Sequence, residues 1–88
     1  MKITEVRVHL VNEEKLRAYV TIVIDESFVV RDLKVIEGTD GPFVAMPSKK
    51  RKDGEYRDIA HPLNQETREN LENQVLAAYR AELQKSQA

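Results

Sequence analysis

From residue 2 to about residue 46 the chain alternates apolar and polar positions, and near its end it changes to a helical rhythm. In residues 2–11 (KITEVRVHLV), Val6, Val8 and Leu10 point one way and Glu5, Arg7 and His9 the other, the two-residue period of a strand with one wet face. Asn12-Glu13-Glu14-Lys15 is a polar break of hairpin-loop length. Residues 16–24 alternate again, with Leu16, Ala18, Val20, Ile22 and Ile24 on one face and the strand formers Tyr19, Thr21 and Val23 on the other. Asp25-Glu26-Ser27 turns the chain into residues 28–37, where the parity breaks: Phe28 and Val30 share one phase, Leu33 and Val35 the opposite one. One extra residue near Arg31-Asp32 keeps all four on the same face, so a β-bulge is expected there.

Gly38-Thr39-Asp40-Gly41-Pro42 has the composition of a turn, and Phe43-Val44-Ala45-Met46 reads as a short fourth strand stopped by Pro47. Residues 48–54 (SKKRKDG) read as a polar, basic loop ending in the turn signal Asp-Gly, and residues 55–60 as a fifth strand ended by His61-Pro62. The remainder predicts a helix with Asn64 as N-cap and Glu66 in the first turn. Leu71, Val75, Ala78, Tyr79 and Leu83 form its apolar stripe, Leu76 lies beside it, and Glu72 falls at the rim of the arc. About 20 helical residues span roughly 30 Å, enough to cover one sheet face. The expected fold is therefore α+β: an antiparallel sheet of four or five strands followed by one long C-terminal helix. Residues 1–84 form the domain, and residues 85–88 are expected to fray. One helix covers only one sheet face, so the other face or an exposed edge is expected to pair with a second copy as a homodimer.

Composition narrows the function classes. The chain has 88 residues, 41% apolar and 33% charged, with 14 Lys and Arg against 15 Asp and Glu. That balance suits a small soluble domain and excludes a polycation that binds nucleic acid over its whole surface. The absence of cysteine removes disulfides, thiolate metal sites and cysteine nucleophiles. No apolar run approaches the roughly 20 residues of a membrane span and no signal-peptide layout opens the chain, so a cytoplasmic protein without membrane contact is expected. The only histidines, His9 and His61, have no metal-ligand spacing, and Ser27 and Ser48 have no nucleophile-elbow context. Gly38, Gly41 and Gly54 make no phosphate-cradling loop. No enzyme activity, cofactor, metal or small-molecule substrate is expected.

The charge is unevenly placed. Residues 49–57 hold Lys49, Lys50, Arg51, Lys52 and Arg57 against Asp53 and Glu55, a local excess of +3 in a chain whose total is −1. Such a run serves either as a solvated tip that keeps the protein soluble or as a phosphate-contacting patch. Log affinity for duplex falls with log salt by about 0.9 per phosphate neutralised. Four contacts then lose roughly 150-fold between 50 and 200 mM salt and eight lose roughly 10⁴-fold. One loop is a weak anchor, whereas two loops joined by a dimer axis make a binding site. Arg51 and Arg57 can form the paired hydrogen bonds to a guanine edge that Lys cannot. Tyr56, the one aromatic in the patch, reads as a sheet or core residue.

The strings Gly41-Pro42-Phe43-Val44-Ala45-Met46-Pro47-Ser48-Lys49-Lys50 and Asp53-Gly54-Glu55-Tyr56-Arg57-Asp58-Ile59-Ala60-His61-Pro62-Leu63-Asn64, with Ile3-Thr4-Glu5-Val6-Arg7 at the start, closely resemble the SpoVG family of bacterial stage V sporulation protein G, or septation regulators. The resemblance runs from about residue 1 to residue 83. It implies a small dimeric protein that binds DNA, and in some members RNA, and modulates gene expression linked to septation, sporulation, capsule or virulence. By motif position it assigns nucleic-acid contact to Lys49, Lys50, Arg51 and Lys52, with Arg57 at the margin. Two members carry Pro before the Asp-Gly where this chain has Lys52, so the loop here is more basic and less rigid. Many members carry a longer acidic tail after the helix, and the resemblance transfers no role of that tail to residues 1–88. The alternative to a nucleic-acid-binding regulator is a protein-interaction module of cell division, with the basic loop merely solubilising.

Overall fold

A computed structural model describes residues 2–87 as six strands and one helix: β1 (Ile3–Leu10), β2 (Leu16–Ile24), β3 (Phe28–Gly38), β4 (Gly41–Ala45), β5 (Ser48–Lys50), β6 (Tyr56–Asp58) and α1 (Gln65–Gln87). The first four form one antiparallel sheet in the order β1-β2-β3-β4, while β5 and β6 form a separate two-stranded hairpin. The α+β architecture expected from the sequence is borne out, with four strands in the main sheet. The fraying expected for residues 85–88 falls on a segment where α1 continues through Gln87, and Ala88 lies outside the described residues.

Register explains how one sheet face becomes uniformly apolar. On β2, Ala18, Val20 and Ile22 are buried as the alternation requires. Opposite them, Val20 pairs with Leu33 and Ile22 with Val30, so β3 uses three steps where β2 uses two. The extra residue is the expected bulge, and Asp32 within it takes the left-handed conformation with φ of 66°. A second shift, between Ile3 and Glu5 on β1, sets Thr4 out of register. It turns Ile3 into the core with Val6, Val8 and Leu10 packed around it, despite their opposite parity. Thr4 holds this corner: its hydroxyl donates to the Val23 carbonyl at 3.3 Å and accepts the Glu26 N–H at 3.0 Å.

The helix closes the core over that face. The Asn64 side chain accepts the Thr67 N–H at 2.8 Å, as an N-cap does. Leu71, Val75 and Tyr79 are buried, Leu76 and Leu83 pack beside them, and Glu72 is half-buried at the rim. The buried set is entirely apolar, with Val20, Ile22, Leu33, Val35 and Val75 at its centre. Each fully buried side chain of that size contributes about 1.5–3 kcal/mol through removal from water.

Three boundaries differ from the sequence reading, for one reason each. Gly38 still belongs to β3 and Gly41-Pro42 already to β4, so the turn is Thr39-Asp40 alone. The positive φ of Gly41, 109°, supplies the tightness. Ser48–Lys50 is a strand rather than a loop, because pairing with β6 needs only backbone groups and leaves no apolar alternation to detect. The fifth strand expected over residues 55–60 is confined to Tyr56–Asp58 and joins this hairpin, not the main sheet.

The bulge makes a test that opposes simple strand propensity. Valine is the better strand former, yet Asp32→Val places a β-branched residue at positive φ. Its urea unfolding midpoint is expected to fall by the equivalent of about 1–2 kcal/mol, with Asp32→Gly matching or exceeding the parent. A valine variant as stable as the parent would remove the bulge from the account.

Candidate functional site

The Asp-Gly turn shapes the tip of the β5–β6 hairpin. Lys49 pairs with Arg57 and Lys50 with Tyr56. Beyond them, the Arg51 N–H donates to the Glu55 carbonyl at 2.7 Å and the Gly54 N–H to the Arg51 carbonyl at 3.0 Å. Lys52, Asp53 and Gly54 thus form a three-residue loop, in which Gly54 has φ of 88°. The Asp53 carboxylate accepts the Glu55 N–H at 3.0 Å and braces the turn. At the foot, the Ile59 N–H donates to the carbonyl of buried Pro47 at 2.8 Å, fixing the hairpin to the end of β4.

Alternation sorts the cations by face. Directly paired residues share a face, so the Cβ atoms of Lys49, Arg51 and Arg57 leave one side of the ribbon and those of Lys50 and Tyr56 the other, while Lys49, Lys50, Arg51 and Arg57 still line one common basin. All five site residues expected from the sequence are exposed, and together they line an open basin of about 770 Å³ that also includes Asp53, Asp58 and Ile59. Arg57 meets the Glu55 carboxylate at 3.3 Å, with both side chains largely in water. Among the described residues, Lys49, Lys50, Arg51 and Lys52 stand in no ion pair. Exposed cations without internal partners are available to an external anion, and their solvation makes them nearly irrelevant to folding stability.

For Tyr56 the sheet position expected from the sequence holds and the core alternative does not. The residue lies in a strand, but its side chain is 68% exposed and belongs to no core. The signal was present in the sequence, since its neighbours in a hairpin so rich in charge supply nothing apolar to bury it. A second cleft, on the α1 side of β6, is lined by Arg51, Tyr56, Arg57, Asp58, His61 and Arg68, and the last two were not anticipated as site residues. His9 sits exposed on β1 opposite Tyr19, whereas the His61 Nδ1–H donates to the Pro62 carbonyl at 2.9 Å. The two histidines belong to separate parts of the fold.

A third feature is apolar. Phe28 and Leu63, 65% and 91% exposed, rim a groove of about 370 Å³ floored by Ile22, Met46 and Leu71. Ala60, His61 and Pro62 also line it, which places the groove at the foot of the basic hairpin. Among the described residues no helix is long and apolar enough to cross a membrane.

Comparison with known proteins adds the evolutionary setting. The profile of the SpoVG family matches residues 1–81. A "Putative septation protein SpoVG" of Anaeromyxobacter sp. (strain Fw109-5) is 66% identical over 88 residues, covering 100% of this chain and 91% of that protein. The protein so named in Bdellovibrio bacteriovorus is 68% identical over 83 residues, covering 94% of this chain and 77% of its own length. The one in Agathobacter rectalis is 55% identical over 85 residues, with 96% and 98% covered.

The hairpin is expected to loosen without the core responding. A Cβ on Gly54 would meet nothing within 4 Å, so the penalty of Gly54→Ala is backbone strain alone. About 1 kcal/mol of local strain corresponds to roughly fivefold faster amide hydrogen exchange at Arg51. The Val20 and Ile22 amides should keep their rates. Equal acceleration of both sets would show that the hairpin and the core open together.

Proposed function

The chain belongs to the SpoVG family, and from that premise we propose that it is a bacterial nucleic-acid-binding regulator linked to septation and sporulation. It acts by binding, without catalysis, and as a homodimer that presents two basic hairpins to DNA or RNA in the cytoplasm. The observation that carries this reading is a set of four exposed cations, Lys49, Lys50, Arg51 and Lys52, in no ion pair among the described residues, on one hairpin of a chain with a net charge of −1. Lys49, Lys50 and Lys52 neutralise phosphates. Arg51 and Arg57, on the same face of a two-stranded ribbon, supply planar donors for base edges or for bidentate phosphate contact.

A two-stranded ribbon fits a duplex major groove. The hairpin rises about 10 Å over its three paired residues at roughly 3.3 Å each, comparable with the groove's depth of about 8.5 Å. A second copy seated on the apolar groove rimmed by Phe28 and Leu63 would lie against the feet of both hairpins and hold them close together. This second copy also answers the weakness of a single hairpin, because affinity at cellular salt grows steeply with the number of phosphates engaged.

The salt slope counts the hairpins. For duplex binding, log affinity against log salt is expected to fall with a slope near 7 when eight phosphates are neutralised, and near 3.6 when four are. Replacing Lys49, Lys50, Arg51 and Lys52 together with alanine should abolish binding while moving the melting temperature little, since exposed substitutions change stability by about 0.5 kcal/mol or less each. A quadruple variant that binds a duplex normally would refute the assignment and favour the interaction-module alternative.

Light scattering tests the assembly separately. The parent is expected at twice the chain mass of 10.1 kDa, and Phe28→Glu with Leu63→Glu should return it to a single chain. A parent that runs as a monomer at micromolar concentration would contradict the paired-hairpin arrangement.

A further inference from the structure

The cleft between β6 and α1 gathers cationic groups from three parts of the chain: Arg51 from the hairpin tip, Arg57 from β6 and Arg68 from the helix. Only Asp58 opposes them among its lining residues. Arg68 is the informative member. With Asn64 as N-cap it sits four residues into α1, near the positive end of the helix dipole, where acids rather than bases are favoured. Glu72 lies one turn further on, yet among the described residues Arg68 makes no ion pair with it or with Asp58. A half-buried arginine placed against the local dipole and without an acidic partner is a local inconsistency of the kind that marks a binding position.

Beside these guanidinium groups stands the exposed ring of Tyr56. The cleft is a shallow, open depression of about 570 Å³, so it offers a surface on which a chain can lie rather than an enclosed site. We propose that this cleft seats one nucleotide of an unpaired strand, its phosphate held by Arg57 and Arg68 and its base stacked on Tyr56. Stacking on a side-chain ring needs a base whose face is free, which a duplex interior does not offer and a single strand does. Arg51, Arg57 and Asp58 line both the cleft and the neighbouring basin, so a strand leaving the cleft passes directly onto the lysines. The inference rests on the nucleic-acid reading above and deepens it: the hairpin cations supply general phosphate affinity, while the cleft selects single-stranded nucleic acid.

The test uses the full chain with labelled 20-nucleotide oligo(dT), oligo(U) and a duplex of equal length, titrated across 50 to 200 mM salt. Tyr56→Leu is expected to weaken binding to the single strands by roughly tenfold and to change duplex binding less than twofold. Arg68→Ala should lower the single-strand salt slope by about 0.7, the contribution of one phosphate, and Arg68→Lys should restore it. Selective loss of single-strand binding in Tyr56→Leu and Arg68→Ala supports the cleft, and a parallel titration with oligo(dU), which differs from oligo(U) only at the 2′ position, identifies the sugar it prefers. Parent-like single-strand binding by Tyr56→Leu and Arg68→Ala, or equal losses on duplex and single strands, would overturn the cleft and leave the hairpin reading standing. Failure of the parent to bind any of the three probes would instead refute the nucleic-acid reading itself.

Discussion

Everything in this fold depends on β3 keeping four apolar side chains on one face across a change of phase. Without an extra residue at Arg31-Asp32, Val30 would lie on the opposite face from Leu33 and Val35, whereas with it all three join the core and Phe28 stands at the rim. The helix would then find only part of an apolar surface to cover. The left-handed turn of Asp32 resolves the conflict locally, and Leu33 and Val35 become fully buried in the core cluster that also holds Val20, Ile22 and Val75. The corresponding shift at Thr4 draws Ile3 into the same layer. These two shifts and one helix, with a further shift between Leu16 and Ala18, thus turn a short chain into a sheet with one dry face.

The consequence for function is a division of labour between apolar and charged parts. The core holds no buried polar or charged residue among the described residues, so its stability owes little to the ions on the surface. The basic hairpin contributes little to that core in return. A two-stranded hairpin is marginal on its own, and this one is held by backbone pairing, by the Asp53 and Gly54 turn, and by the Ile59–Pro47 hydrogen bond at its foot. Its side chains are therefore free to be chosen for charge and exposure, which is where Lys49, Lys50, Arg51, Lys52 and Tyr56 stand.

Much of the fold was legible because hydrophobic periodicity reports directly on burial. β1, β2, the β3 bulge, the Asn64 cap and the Leu71–Val75–Tyr79 stripe all follow from spacing in the sequence. What escaped was structure made without apolar side chains. Ser48–Lys50 carries no alternation because both faces of the hairpin are wet, and its pairing is encoded only by the Asp-Gly turn. Ile3 escaped because a bulge changes its parity. For the site, local charge density sufficed to nominate the hairpin cations. Arg68 and His61 are brought to the same cleft only by the path of the chain between β6 and α1, which a linear reading does not contain.

The central claim is that nucleic acid meets the molecule on the basic hairpin rather than on the half-apolar outer face of the sheet. Amide chemical-shift mapping during titration with an oligonucleotide tests it most directly. The account predicts the largest changes at Lys49 to Lys52, Tyr56 and Arg57, with the core amides of β2 and β3 undisturbed. Changes concentrated at Tyr19, Val29 and Phe43, with the hairpin silent, would contradict it.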